Sequence, residues 1–311
     1  MKLPNAELIA ICDINNESLK YRGDQFKIPT HRRFHSLKAM LDSVDIDVVD
    51  IVTGPETHPE LVHDAAEAGK HILCQKPFAI SLELAIEMVK DVQSHGVRIM
   101  VTENWRRFKP FQIIHQLLHE DLVGPISSIT YTHKDFYIPR MRPGLELPQP
   151  FLRTMPRLLF YEMGSHCFDT WRFLFGEPKE LHAKLYRVSP YVQGEDAGVI
   201  HMDHDGFRGV MDMSWASRFY DNIRKRVPEV KAEWLEGLII DGEHGAILMD
   251  PTGKSHKGNI VLLTEEKDEI IAVCKFDTMS AQTRLQKHFL QCLDTGEEFH
   301  TSAMSSFKRS I

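Results

Sequence analysis

Gly69-Lys70-His71-Ile72-Leu73-Cys74-Gln75-Lys76-Pro77-Phe78 holds a short apolar run, Ile72 to Cys74, set between a glycine and a proline. Apolar runs of this length with such boundaries read as buried strands. Lys76 then stands at the strand's carboxyl end, where open α/β sheets place their ligand crevice. A lysine there can donate hydrogen bonds to a bound oxygen or move a proton. Taken alone, a Lys-Pro after a strand is more often an exposed turn, because most lysines are surface groups. The flanking sequence has to decide between these readings.

Upstream and downstream of this run, strands and helices alternate. Glu7 to Cys12 (ELIAIC) reads as a buried strand ending in Asp13, followed by a helix capped by Asn15 or Asn16. Ser36 to Leu41 is a short capped helix, and Ile46 to Val52 (IDVVDIV) is a β-branched strand broken at Thr53-Gly54-Pro55. Thr57 to Ala68 is helical and ends at Gly69. After the Lys76 strand, Ser81 to His95 is an amphipathic helix and Val97 to Thr102 another strand. Such alternation with short loops predicts a parallel, doubly wound sheet over residues 1–105. Asp13, at a strand end, can accept hydrogen bonds from the adenosine ribose hydroxyls of a dinucleotide; its charge favours NAD over NADP.

One part of that pattern is missing. The glycine fingerprint of a dinucleotide fold precedes the acid by about 20 residues, but Asp13 stands twelve residues from Met1, and no two glycines stand at i and i+2. The Rossmann domain is therefore expected to lack its first strand, phosphate loop and first helix. A clipped gene start is favoured over a true loss.

Beyond Thr102 the pattern changes to that of an α+β domain, 106–311. Residues 103–110 form a polar, aromatic linker, Phe111 to Leu122 a helix, and Ile126 to Ile138 an alternating strand. Residues 139–157, rich in Pro and Arg, read as a long ordered loop, a length that usually serves a lid or binding role. Helical spacing from Tyr161 to Phe173 puts Glu162, His166, Asp169 and Phe173 on one stripe. Short strands follow at Leu181–Val188, Gly198–Asp203, Gly209–Trp215, Leu235–Ile240, Ala246–Met249, Ile260–Thr264 and Ile270–Phe276. They predict a large, mostly antiparallel sheet with helices on one face. Thr283 to Leu293 is a closing helix. His201 and His204 point to opposite strand faces, which argues against a shared metal site, and no metal is expected. Arg224-Lys225-Arg226 reads as a solvated loop.

Composition sets the outer bounds. With 311 residues, 42% hydrophobic and 26% charged, the chain suits about two ordinary globular domains. A net charge of -7 argues against nucleic acid or membrane partners. There is no apolar run near the ~20 residues of a membrane span, and the N-terminus lacks a signal-peptide layout. Five scattered cysteines read as buried thiols in a reducing, cytoplasmic setting.

Four motifs in order resemble the Gfo/Idh/MocA oxidoreductases. Gly69-Lys70-His71 through Lys76-Pro77 resembles that family's GKH…EKP signature. Thr53 to His58 resembles the turn after its fourth strand, Arg107-Phe108-Lys109-Pro110 its RFxP, and Glu162-Met163-Gly164-Ser165-His166 with Asp169 its DxGxHxxD. Gln75-Lys76-Pro77, Glu103-Asn104, residues 153–157 and Gly194-Glu195-Asp196 narrow the resemblance to its D-apiose dehydrogenase branch.

The resemblance implies a nicotinamide-dependent dehydrogenase of a sugar, cyclitol or related polyol, forming a homodimer or homotetramer through open sheet faces. It implies that Lys76 contacts both the substrate hydroxyl and the nicotinamide ribose, that His166 is the general acid/base, and that Glu162, in place of the usual Asp, partners Lys76. Gln75 replaces a Glu and removes an anion beside Lys76. Asp13, Thr53, Gly54, Pro55, His58, Gln75, Lys76, Pro77, Asn104 and Arg107 are implied to surround the cofactor. Arg157, Tyr161 and Asp169 are implied to grip substrate. The alternative is a non-catalytic sugar-binding or scaffold relative that has lost dinucleotide binding. The family also usually continues past the closing helix, so both ends are expected to be short.

Overall fold

The computed structural model describes residues 3, 5–147, 149–218, 235–249, 259–273 and 276–301; the 224–226 basic run lies outside them. The chain divides into two compact units, Met1–Glu103 with Gln282–Ile311, and Asn104–Ala281.

In the first unit, β1 (Ile11–Cys12) pairs in parallel with β2 (Arg33–Phe34). Between them runs α1 (Asn16–Gln25), capped by Asn15 Oδ1, which accepts from the amides of Glu17 and Ser18 at 2.9 and 3.0 Å. After β2 come α2 (Leu37–Ser43), β3 (Val48–Ile51), α3 (His58–Glu67), β4 (His71–Cys74), α4 (Leu82–Ser94) and β5 (Ile99–Val101). β3, β4 and β5 form a separate parallel sheet in that order. Val49, Ile51, Ile72 and Cys74 pack with Val62, Ala65, Val89 and Val92 of α3 and α4.

The break between the two sheets falls between β1 and β3. In the doubly wound order 3-2-1-4-5-6, β2 and β1 take places 3 and 2, and β3 to β5 take places 4 to 6. No strand among the described residues takes place 1. The expected buried strand Glu7–Cys12 is accordingly reduced to two paired residues. Leu8 is 52% exposed, and Cys12, expected to be buried, is exposed. Val52, just beyond β3, is 69% exposed; no strand or helix among the described residues covers it.

The second unit begins with a 3₁₀ turn, Trp105–Arg107, and then α5 (Lys109–His119) and β6 (Ile126–Lys134). β6 is shorter than the sequence suggests; past Lys134 pairing continues only as a bridge between Phe136 and Ala216. The predicted helix over 161–173 is two pieces, α6 (Leu159–Glu162) and α7 (Gly164–Phe175), interrupted at Met163. Glu162 therefore belongs to a different helix from His166, Asp169 and Phe173. Strands β7 (Glu180–Tyr186), β8 (Ala197–Asp203), β9 (Arg208–Ser214), β10 (Leu235–Gly242), β11 (Gly245–Met249), β12 (Asn259–Thr264) and β13 (Asp268–Val273) complete an eight-stranded sheet. Its order is β13-β12-β11-β10-β6-β9-β8-β7, antiparallel except between β6 and β9. One face packs on α5 and α7 through Phe111, Ile114, Trp171, Ile129, Met211 and Ile240. On β10, Ile239 is 40% exposed between Leu238 and Ile240, which are buried, so the opposite face is open.

The last helix, α8 (Thr278–Thr295), was expected with the second domain. From Gln282 onward it instead joins the first unit. Leu285, Phe289 and Cys292 pack with Phe299 on Leu73 and Met100, covering the second face of the parallel sheet. Arg98 fastens this return: its guanidinium donates to the Cys292 carbonyl at 2.5 Å and to that of Glu297, and lies 4.1 Å over the Phe299 ring.

Seating of α7 on the sheet depends on one glycine. A Cβ on Gly209 of β9 would lie 2.1 Å from the Trp171 ring, which is itself 1% exposed and held by a 3.0 Å bond from its Nε1 to His204 Nε2. Gly209→Ala is expected to cost about 1–3 kcal/mol through overpacking. Urea and thermal unfolding would read this as a lower midpoint. An unchanged midpoint would show slack beneath α7.

Candidate active site

In the first unit, the candidate groups gather at the carboxyl ends of β3, β4 and β5. Their turns are tied together by hydrogen bonds. The Gln75 amide donates to the Ile51 carbonyl at 2.9 Å, and the Thr102 amide to the Cys74 carbonyl at 2.8 Å. The Gln75 side chain adds a brace: its Oε1 accepts from the Lys76 amide at 2.9 Å and from Thr102 Oγ1 at 3.0 Å. Gln75, placed by resemblance beside the cofactor, thus fixes the backbone that carries Lys76. A glutamate could accept the same two bonds, so the exchange keeps the brace and drops a charge. Lys76 is half-buried.

His58, also placed by resemblance beside the cofactor, is fully buried. Its Nδ1 lies 2.9 Å from the Phe78 carbonyl and its Nε2 3.2 Å from the Thr53 carbonyl. It joins the turn after β3 to the turn after β4 and acts on the crevice through them. In the first of these turns Thr57 Oγ1 donates to Thr53 Oγ1 at 2.8 Å, leaving Thr53 and Gly54 exposed and Pro55 partly exposed. Asp13 sits at the end of β1. Its Oδ1 accepts from the Asn15 amide at 2.8 Å, and its carbonyl lies 2.9 Å from His35 Nδ1.

In the second unit, the turn Trp105–Arg107 meets α7. The Trp105 and His166 rings are stacked, with centroids 4.7 Å apart and planes 5° from parallel. Arg106 grips Asp169 through both carboxylate oxygens, with Nε 2.6 Å from Oδ2 and Nη2 on Oδ1. It also lies 5.4 Å from the Phe173 ring centroid. His166 and Asp169 are 8% and 9% exposed. Of the stripe read from the sequence, His166, Asp169 and Phe173 do share one face, and that face meets the turn. Asp169, assigned to substrate by resemblance, is held first by Arg106. Sequence reading passed over Trp105 and Arg106 as linker residues. The signal was an aromatic and an arginine side by side, directly after a strand of the first unit. Asn104 and Arg107 flank them, both half-buried, and the Arg107 amide donates to the Asn104 carbonyl at 2.9 Å.

The loop 139–157 is ordered by Arg153, whose guanidinium donates to the carbonyls of Arg140, Met141, Arg142 and Leu145 at 2.7–3.2 Å. It leads to Arg157, which is exposed and lies 5.0 Å from the Tyr161 ring centroid, so these two candidates form one pair. The turn Gly194-Glu195-Asp196 holds them. Glu195 Oε1 accepts from the amides of Leu158 and Phe160, capping the helix that carries Tyr161 and Glu162. A Cβ on Gly194 would lie 2.8 Å from the Met155 carbonyl, so only glycine allows the close approach. Buried Asp196 accepts from the amides of Val188 and Ser189 at 2.6 and 2.9 Å. Glu162 is half-buried at the end of α6.

Behind Trp105 lies a closed polar cluster that the sequence did not announce. His133 Nδ1 and Glu236 Oε1 are hydrogen-bonded within the core. Tyr131 and Cys167 adjoin them; burial, and then Cys167 and Glu236, push the Tyr131 phenol pKa up. His133, Cys167 and Glu236 bring a nitrogen, a sulfur and an oxygen within 4.8 Å of one another, a donor set suited to a borderline cation. His133 Nδ1 and Glu236 Oε1 pair with each other, while His133 Nε2 and Glu236 Oε2 are buried with no hydrogen-bond partner among the described residues; a cation seated on the paired atoms would have to break that bond.

The comparisons place this geometry in a family. Residues 1–103 match the oxidoreductase family with an NAD-binding Rossmann fold, and residues 111–247 match its GFO/IDH/MocA C-terminal domain. The chain belongs to the Gfo/Idh/MocA oxidoreductase family. It is 30% identical to a D-apiose dehydrogenase of Paraburkholderia graminis over 98% of the chain and 79% of that protein. It is 29% identical to one of Rhizobium rhizogenes over 97% of the chain and 85% of that protein. Among solved structures, an Agrobacterium radiobacter oxidoreductase in complex with NAD+, L-tartaric acid and magnesium superposes with a TM-score of 0.83. It is 27% identical and is covered over 85% of its length, against 97% of this chain. This family membership supports the dinucleotide role assigned to the turns after β1, β3 and β4.

The Arg106–Asp169 pair yields a direct test. Removing the arginine takes a bidentate cation away from a buried carboxylate, a change that costs up to about 3–5 kcal/mol. Arg106→Leu is expected to lower stability by that order, and Asp169→Leu combined with it to recover part of the loss. Chemical denaturation of the double-mutant cycle would measure the coupling; strictly additive losses would show that the pair is not energetically linked.

Proposed function

We propose that the protein moves a hydride between a sugar, cyclitol or related polyol hydroxyl and NAD, with Lys76 and His166 as its catalytic groups. The observation that carries this reading is that both groups are braced from behind: Lys76 by Gln75 and the tied turns, His166 by Trp105. Preorganised groups of this kind are what hydride transfer asks of a protein, since the cofactor supplies the electron-pair acceptor.

His166 takes the hydroxyl proton as the C–H bond is lost, and returns it in the reverse direction. Lys76 donates to the substrate oxygen and to the nicotinamide ribose. Glu162 partners Lys76. Arg157 and Tyr161 grip substrate hydroxyls, and Asp169 acts by fixing α7. Asp13 receives the adenosine ribose, and Thr53, Gly54, Pro55, Pro77, Asn104 and Arg107 line the cofactor. Gln75 and His58 serve it through the backbone.

The residues present suit the two riboses and the nicotinamide; the pyrophosphate cradle has no counterpart among the described residues. The separation of β1 from β3 supports a longer form of the protein, in which one further parallel strand joins them and brings a glycine-rich turn. Free thiols at Cys74, Cys167 and Cys292 support a reducing, cytoplasmic setting. No helix of the described residues is long and apolar enough to cross a membrane. The open sheet face, with exposed Ile239 and Ile270, supports a homodimer or homotetramer.

Titration of the 311-residue chain with NADH is expected to show weak binding; tight binding would mean that the glycine turn is dispensable. In the longer form, a panel of pentoses, hexoses and inositols with NAD should reveal turnover by nicotinamide absorbance. Lys76→Ala and His166→Ala should each lower kcat at least ~100-fold while leaving the melting temperature within a few degrees. Sugar binding with no NADH binding and no turnover would favour the scaffold role.

A further inference from the structure

We infer that Trp105 is a positioning residue for His166: its indole face fixes the plane in which the imidazole meets the substrate hydroxyl. The inference rests on the dehydrogenase role proposed above and names a residue outside the set that the sequence motifs assign.

His166 is the third residue of α7, and its amide donates to the Met163 carbonyl at 3.1 Å. The second torsion of histidine is intrinsically broad, so the helix backbone alone does not fix the ring. The ring plane must therefore be set from outside the helix. Trp105 meets the imidazole face to face, at 4.7 Å and 5°.

Trp105 can serve as a fixed reference because it is itself wedged. It is 4% exposed, stands edge-on to Phe108 at 5.9 Å, and lies 5.8 Å from His133. His133 is tied to Glu236 across the paired strands β6 and β10, so the indole backs onto the sheet. The next residue, Arg106, grips Asp169 one turn along α7. Two consecutive residues of one 3₁₀ turn thus hold two positions three apart on the catalytic helix. Sliding or rotating α7 would have to break both contacts together. The turn acts as a template that sets helix position through Arg106 and ring plane through Trp105.

The experiment compares wild type, Trp105→Phe, Trp105→Leu and His166→Ala in the longer, NAD-binding form. Small losses of alignment cost up to ~100-fold in rate, so Trp105→Leu is expected to lower kcat ~10–100-fold. KM values for NAD and the polyol should change little; the melting temperature should fall, because a wedged core side chain is shortened, so rates are compared at a temperature where every variant is folded. Trp105→Phe keeps an aromatic face and should recover most of the rate. Proton–carbon spectra of the histidine rings give a readout independent of turnover: the His166 ring signals, shielded by the stacked indole, should move downfield in Trp105→Leu and much less in Trp105→Phe. Full kcat in Trp105→Leu, or equal loss in the Phe and Leu variants, would overturn the inference while leaving the dehydrogenase assignment intact. Unmoved His166 signals in Trp105→Leu would overturn it too. Turnover that survives His166→Ala, or a wild type that turns over no polyol, would instead remove the functional reading on which it rests.

Discussion

Backbone pairing in a parallel sheet is the constraint on which the first unit depends. Each interior strand needs a neighbour on either side to satisfy its amides and carbonyls. β4 has both neighbours, and its residues Ile72 to Cys74 are buried on both faces. β1 has one neighbour and only two paired residues. The contrast explains why the Lys76 turn is so firmly held while the Asp13 turn stands at the edge of a small ribbon. The turns after β3, β4 and β5 are tied to one another, whereas β1 and β3 lie in separate sheets.

The second unit solves a different problem. A histidine proposed to move a proton has to be held to within a fraction of an ångström, and loops do this poorly. Here the helix is seated by shape, through Trp171 over Gly209, and registered by charge, through Arg106 on Asp169. The loop before it is not left slack. Arg153 collects four carbonyls and Glu195 caps α6. Residues that the sequence placed beside substrate or cofactor, or in a linker, also hold others in place. Asp169 and His58 are the two clearest cases.

Much of this was legible before any coordinates. Period and punctuation located β3 to β5 and the strands of the large sheet, because hydrophobic alternation and Gly or Pro boundaries are local properties. The lack of a glycine pattern before Asp13 was legible too; among the described residues β1 and β3 lie in separate sheets. The interruption at Met163 was not: Glu162 to Phe173 keeps helical spacing across it, and only hydrogen bonding reveals the break. Nor was the destination of α8, since an amphipathic helix does not say which of two sheets it will cover.

By itself the sequence determined the order of the elements and the family they belong to, because these follow from residue type and spacing along the chain. Only the tertiary structure decided which polar side chains serve one another. His58 became a brace because both its ring nitrogens meet carbonyls from turns 5 and 20 residues away. Trp105 became a partner of His166, and His133 of Glu236 103 residues on, through contacts that no local pattern encodes. Side-chain partnership is a property of packing, and packing is settled by the whole chain at once.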